Sequence, residues 1–241
     1  MGGGSIRLFK VAGIEVFLHF SWFLVAVYQL TSRSHGYRLP IFAIYEYLAL
    51  FAIVLLHEFG HALACRQTGG TADRIMLWPL GGVAFVRPPQ RPGAQLWSIA
   101  AGPLVNVALL PVFELARVLA FHAAVSPDVY RLVSMVRLIN LALLVFNLFP
   151  VYPLDGGQIL RSLLWFPLGQ IRSLQIATVI GFIGGAALGA YAFYTSSLWL
   201  GILAFFLVSQ ALNGWRHAKT LALEAEDAKR MPAPADRPPV F

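Results

Sequence analysis

Between Ile41 and Cys65 the chain is almost unbroken hydrocarbon, yet the run contains His57-Glu58-Phe59-Gly60-His61. A stretch this long and apolar reads as a helix that crosses a bilayer, which takes about 20 residues. Hydrocarbon offers no water to unpaired backbone groups, so helices and closed barrels are the elements able to cross it. An ionisable side chain at that depth costs about 2.5–3.5 kcal/mol on insertion scales, which makes a functional site the default reading of His57, Glu58 and His61.

The rest of the chain fits the same solvent. Of its 241 residues 58% are hydrophobic and 12% charged, with mean hydropathy +0.69. A soluble domain carries about 25% charged residues, so this composition describes an integral membrane protein. The formal charge of +7 does not point to nucleic acid, because Lys and Arg gather on the cytoplasmic side of membrane proteins and set their orientation. Cys65 is the only cysteine, which excludes an intrachain disulfide and a cysteine metal cluster. Its expected role is that of a small buried hydrophobe.

Apolar runs place spans at about 14–30, 41–65, 94–121, 130–150, 171–194 and 197–213. The first follows Arg7 and Lys10 and lacks a small-residue cleavage site, so it is expected to be retained. A polar turn, 31–38, with Ser34 and His35 at its centre, separates it from the second. Between the second and third, Ile75–Trp78 and Val83–Val86 flank Pro79-Leu80-Gly81-Gly82 and predict a short hairpin. The predicted fold is therefore an all-α polytopic membrane protein of about six transmembrane helices with a membrane-associated β-hairpin. Gly181, Gly184, Gly185 and Gly189 give the fifth span a small-residue face for close packing. Residues 1–213 form the expected membrane domain and 214–241 a charged, Pro-rich cytoplasmic tail, with 231–241 disordered. Of the 18 Lys and Arg, Arg33, Arg38 and Arg131 fall on one side and Arg117 and Arg137 within spans. The remaining thirteen lie on the side of both termini, which the positive-inside rule makes cytoplasmic.

On a helix, residues i and i+4 share a face, so His57 and His61 can offer two imidazole nitrogens to one metal at about 2.0–2.1 Å. Glu58 follows the first ligand, where it can take a proton from water and return it to a leaving amine. Gly60 leaves room for a neighbouring helix or a substrate. Catalytic zinc keeps three protein ligands and one open position. His19, His122 and His217 lie in or near other spans, but Asp155 is the better candidate for the third ligand. It follows the Pro-interrupted segment Phe149-Pro150-Val151-Tyr152-Pro153-Leu154, which turns the chain at the membrane edge. In isolation Asp155 would also serve as a turn or N-cap residue before Gly156-Gly157.

His57-Glu-Phe-Gly-His61, Ala101-Gly-Pro-Leu-Val-Asn106 and Asn147-Leu-Phe-Pro-Val-Tyr-Pro-Leu-Asp155-Gly-Gly together resemble the site-2 protease family of intramembrane zinc metalloproteases, over residues 10–213. The resemblance implies Zn2+ held by His57, His61 and Asp155, with Glu58 as catalytic base. It implies that Asn147 contacts the substrate backbone or the developing oxyanion and that Asn106 lines the cleft. The 70–87 hairpin, with Gly81 and Gly82, resembles the strands that hold an extended substrate. Such a substrate is a transmembrane protein whose cleavage releases a signalling domain, in a prokaryotic cell membrane. No inserted peptide-binding domain of the PDZ type and no nucleotide-sensing domain of the CBS type is expected. The alternative reading is a metal-binding or metal-transporting membrane protein without peptidase action, and a second is a catalytically dead scaffold. Other intramembrane charges read as structural: Glu114 and Arg117 are three apart on one face, and Arg137 and Asn140 suit polar contacts within the bundle. Glu46 is about three turns from His57, too far for the metal, and is expected at the outer membrane edge.

Overall fold

The computed structural model describes residues 4–33, 36–78 and 81–230. Ser34 and His35 of the predicted turn, Pro79 and Leu80 of the predicted hairpin, and the tail 231–241 lie outside them. Two units divide the chain, Met1–Phe149 and Pro150–Phe241.

The first unit begins with strands β1 (Ser5–Val11) and β2 (Ile14–His19), followed by helices α1 (Ser21–Arg33) and α2 (Ile41–Gln67). Strands β3 (Thr71–Trp78) and β4 (Gly81–Arg87) and helices α3 (Pro92–His122) and α4 (Pro127–Asn147) complete it. The predicted hairpin is thus half of a four-stranded sheet in the order β1-β2-β3-β4. β2 runs parallel to β3, Glu15 opposite Arg74 and Leu18 opposite Leu77, and the two hairpins are antiparallel. Ala12 and Gly13, both at positive φ (49° and 76°), make the tight turn between β1 and β2; such turns suit the twist of a hairpin.

The apolar run at 14–30 is therefore not one helix. Its first part alternates, with Ile14 and Val16 fully buried while Glu15 and Phe17 are not, a period of two that belongs to a strand. Helix formation starts only at Ser21, and α1 has 13 residues, about 20 Å at 1.5 Å per residue, short of the roughly 30 Å of hydrocarbon. Among the described residues six helices are present, and five of them are long and apolar enough to span: α2, α3, α4 and the two of the second unit. The core of the first unit lies where the sheet meets α1 and α2: Ile14, Val16, Ile75 and Leu77 pack on Trp22, Val54, Ala62 and Cys65. Cys65 is buried there, as expected of a small hydrophobe.

Glu46, near the start of α2, is enclosed by protein. It is 1% exposed and gathers three donors: Tyr37 Oη at 2.6 Å, Gln29 Nε2 at 3.0 Å and Arg33 Nε at 3.1 Å. One carboxylate thus ties α1 and the following turn to α2. Burial, and then the hydrogen bond to Glu46, hold the Tyr37 phenol well above its ordinary value.

In the second unit α5 (Asp155–Tyr194) packs against α6 (Leu198–Arg230). Pro167 and Gly169, at φ 79°, break α5 into two arms. Gly185 receives Val208 of α6, as predicted for a small-residue face. Gly181 and Gly184 instead receive Tyr152 and Val151, so part of the stripe seats the chain that leads to Asp155. α6 continues without a break past residue 213 to Arg230.

Replacing Tyr37 by Phe is expected to cost about 1.5–3 kcal/mol, the worth of a hydrogen bond to a charged group, in chemical unfolding of the micellar protein. The sign of the pH effect follows from the raised folded value. The difference from wild type is present below the unfolded pKa of about 10 and shrinks as pH rises above it. Equal stability of the two proteins at neutral pH would show that the network contributes nothing.

Candidate active site

Helix α2 presents His57, Glu58 and His61, all buried. Their surroundings come from α3, whose residues Ser98, Gly102 and Asn106 recur every four positions and so share a face. His57 Nδ1 lies 2.6 Å from Asn106 Oδ1, and His61 Nδ1 lies 2.9 Å from the Ser98 carbonyl oxygen. Both partners accept, so each ring donates through Nδ1–H and turns the lone pair of Nε2 the other way. The Asn106 amide is itself fixed: its Nδ2 donates to Asn140 Oδ1 at 2.8 Å, and Asn140 Nδ2 donates to the Asn106 carbonyl at 2.9 Å. Pro103, inside α3, removes one backbone donor and loosens the turn beside the Ser98 carbonyl.

The two Nε2 atoms come to 3.1 Å from each other. Two acceptor lone pairs aimed at one point repel unless a cation lies between them. Nitrogens bound at about 2.0–2.1 Å to one tetrahedral zinc are about 3.3 Å apart, so the pair fits that ion. Gly102 keeps the space open, because a Cβ there would collide with His61 Nε2 and His57 Nε2. Hydrogen-bonded ring N–H groups of this kind are the usual outer support of a metal-binding histidine.

Glu58 touches the sheet. Ala84 of the edge strand β4 donates its N–H to Glu58 Oε2 at 2.8 Å. Gly82 lies so close that a Cβ would overlap the Glu58 carboxyl group. The strand expected to handle an extended peptide is therefore in contact with the expected base.

Of the predicted residues, Asn106 sits otherwise than expected. Asn106 does not face a cleft: it is fully buried and its amide is spent on His57 and Asn140. Gly60 makes room for α3 rather than for a substrate, since a Cβ would meet the Ala101 carbonyl. Asn147 is the half-buried last residue of α4, and Asp155 the half-buried first residue of α5. His19 stacks on Trp78 at 4.4 Å, while His122 ends α3 and His217 lies on α6. No motif marks Ser98; Gly102 lies inside the Ala101–Asn106 motif without a role of its own and Asn140 reads only as a polar residue of the bundle, although the four-residue spacing of Ser98, Gly102 and Asn106 is visible in the sequence.

Comparison with known proteins decides the family. The model of peptidase family M50 matches residues 45–122 and 112–190. This chain belongs to that family, the site-2 proteases. It is 36% identical to a zinc metalloprotease of Methanocaldococcus jannaschii over 73% of its own length and 50% of the relative's. It is 28% identical to stage IV sporulation protein FB of Bacillus subtilis, over 84% of this chain and 62% of that one. The chain thus spans about half to two thirds of the length of these curated relatives. The solved site-2 protease from Methanocaldococcus jannaschii superposes with a TM-score of 0.61 at 28% identity, covering 88% of this chain and 95% of the other.

Gly102→Ala should abolish stoichiometric zinc in the purified protein, read by atomic absorption, because its methyl group occupies the space between the ring nitrogens. Asn106→Ala should weaken zinc binding about 10- to 100-fold, the usual effect of losing an outer-shell partner. A Gly102→Ala protein that keeps one zinc at wild-type affinity would contradict this geometry.

Proposed function

We propose that this M50 family member is an intramembrane zinc metalloendopeptidase that hydrolyses peptide bonds within or near transmembrane segments of membrane proteins. The observation that carries the reading is the convergence of His57 and His61 Nε2 at 3.1 Å inside a helix apolar enough to span, with Glu58 hydrogen-bonded to an edge strand. Relatives named as zinc metalloproteases favour hydrolysis over metal transport. A transport site also has no use for a base beside its first ligand.

His57, His61 and Asp155 are the proposed zinc ligands, Asp155 on the strength of the Leu-Asp-Gly-Gly motif. When bound, zinc supplies a Lewis acid that polarises the scissile carbonyl and lowers the pKa of water. Glu58 takes the proton of the attacking water and passes it to the departing amine. Asn106 and the Ser98 carbonyl hold the rings in one tautomer throughout. β4 offers its outer edge to an unwound substrate segment, which pairs with it as an added strand; Gly81 and Gly82 place no side chain in the way. Asn147 contacts the substrate backbone or the developing oxyanion, a role that electrostatic stabilisation makes valuable.

The protein is an integral membrane protein, and we place both termini in the cytoplasm. Arg66, in the last turn of α2, donates to the carbonyls of Ala12 and Gly13, whereas Gln29 and Arg33 meet Glu46 near the start of α2. The chain therefore travels most of the length of α2 before α2 begins, although α1 is short. The five spans from α2 to α6 return it to the side on which it started. On this reading residues 1–213 carry the peptidase and 214–241 face the cytoplasm.

A tagged single-span substrate, co-expressed with wild type and with Glu58→Gln, should lose cleavage about 10²- to 10⁴-fold in the mutant while the purified mutant retains its zinc. Asp155→Asn should lose both. A Glu58→Gln protein that cleaves at the wild-type rate would end the proposal.

A further inference from the structure

Beyond the residues that hold the histidines, α3 and α4 carry a second charged group that hydrolysis does not use. Glu114 Oε1 accepts from Arg117 Nη2 at 2.5 Å and Oε2 from Arg117 Nε at 3.2 Å. Arg137 Nε of α4 lies 2.5 Å from the same Oε2, and Tyr130 Oη takes Arg117 Nη1 at 3.1 Å. Two guanidiniums and one carboxylate leave a net charge of +1. The three side chains are 39%, 32% and 38% exposed, so the cluster faces outward from the helix pair.

Its depth makes this unusual. Arg137 stands midway along α4, which runs from Pro127 to Asn147, about 15 Å from either end at 1.5 Å per residue. That is half the hydrocarbon thickness. Snorkelling serves arginines near helix ends, and intramembrane charges otherwise pair with one another or mark a pathway. Each guanidinium carries five N–H donors, and among the described residues Glu114 and Tyr130 accept only part of them. A lipid phosphate at the interface is too far out for Arg137, although Arg117, five residues from the end of α3 at His122, is close enough to a helix end to snorkel. Among the described residues a second copy of this chain brings no exposed acid at the depth of Arg137, since Glu46 and Glu58 are 1% and 5% exposed, Glu114 is already shared, and the other acids lie in strands, at helix starts or in the last turns of α6.

We propose that the Arg117–Glu114–Arg137 cluster is a recognition site for a carboxylate carried in the middle of a substrate's transmembrane segment, so that Arg137 is a specificity-determining residue. This rests on the peptidase reading above. The position suits it: Arg137 is one turn from Asn140, whose partner Asn106 holds His57. The cluster sits on the same helix pair as the site's outer support, about one to three turns away along the helices. A segment lying along α3 and α4 meets the cluster with its acid while a portion nearer the sheet reaches Glu58. The added charge also neutralises the cluster, removing the cost of a lone cation in hydrocarbon.

The test uses full-length protein in phosphatidylcholine vesicles with labelled single-span segments that differ only in a central Glu, Gln or Lys. Association is read by energy transfer with the Glu58→Gln protein, and cleavage with wild type. The Glu segment is expected to bind about 3- to 30-fold more tightly than the Gln segment, the range that polar contacts between membrane helices span, and the Lys segment more weakly than either. Arg137→Gln should bring the Glu:Gln ratio to about one. The decisive comparison, Glu against Gln, leaves α3 and α4 unaltered and needs no variant of the cluster to fold. Equal binding of the two overturns the proposal, as does self-association of the protein that only Arg137→Gln abolishes. Discrimination in binding with no cleavage of any segment sustains this site and overturns the peptidase reading; equal binding with cleavage of all three does the reverse.

Discussion

A polar group at membrane depth has no water to fall back on, and the structure can be understood as the set of partners supplied in its place. An unsatisfied group costs several kcal/mol there, so buried donors and acceptors are matched by specific neighbours, with Trp22 Nε1 and Arg161 Nε the exceptions among the described residues. The two imidazoles illustrate the consequence. Their Nδ1–H groups are matched by Asn106 and Ser98, and this leaves both Nε2 lone pairs facing one another. Satisfying the outer side of each ring is what creates the demand for a cation on the inner side. The metal site is therefore a result of how α3 packs on α2, and the two motif histidines alone would not produce it.

The same rule fixes the rest of the first unit. Asn106 and Asn140 exchange bonds so that neither amide is left open, which couples α4 to the histidines through α3. Glu46 is surrounded by an arginine, a tyrosine and a glutamine from α1 and the turn beyond it. Small residues allow these contacts: Gly60 lets α3 approach α2, and Gly102 keeps that approach from filling the site.

Much of this was legible in the sequence, and the limits have physical causes. The spacing of His57 and His61 and the placing of Glu58 follow from helical periodicity, and the long apolar runs at 41–65 and 94–121 became α2 and α3. The run at 14–30 failed because hydropathy cannot tell a buried strand from a buried helix; the alternation of Ile14 and Val16 held the answer. The partners of Asn106 and Glu46 were out of reach, since each depends on which helix faces which, and single-chain periodicity says nothing about that. Asn140 was visible only as a polar residue in a span, while its reciprocal bond with Asn106 needed the packing of α3 on α4.

The shortness of α1 has a consequence for the bilayer itself. The crossing that ends with α1 is begun by strands, and an open ladder cannot be bathed in acyl chains because its edges carry unpaired amides. By that rule the edge of β4 where Ala84 meets Glu58 has to be met by protein or by water, not by acyl chains. Water admitted at that edge would bring the second reactant of a hydrolysis to a carboxylate carried on a helix apolar enough to span. What looks like a deficit of helix length is then a route for water.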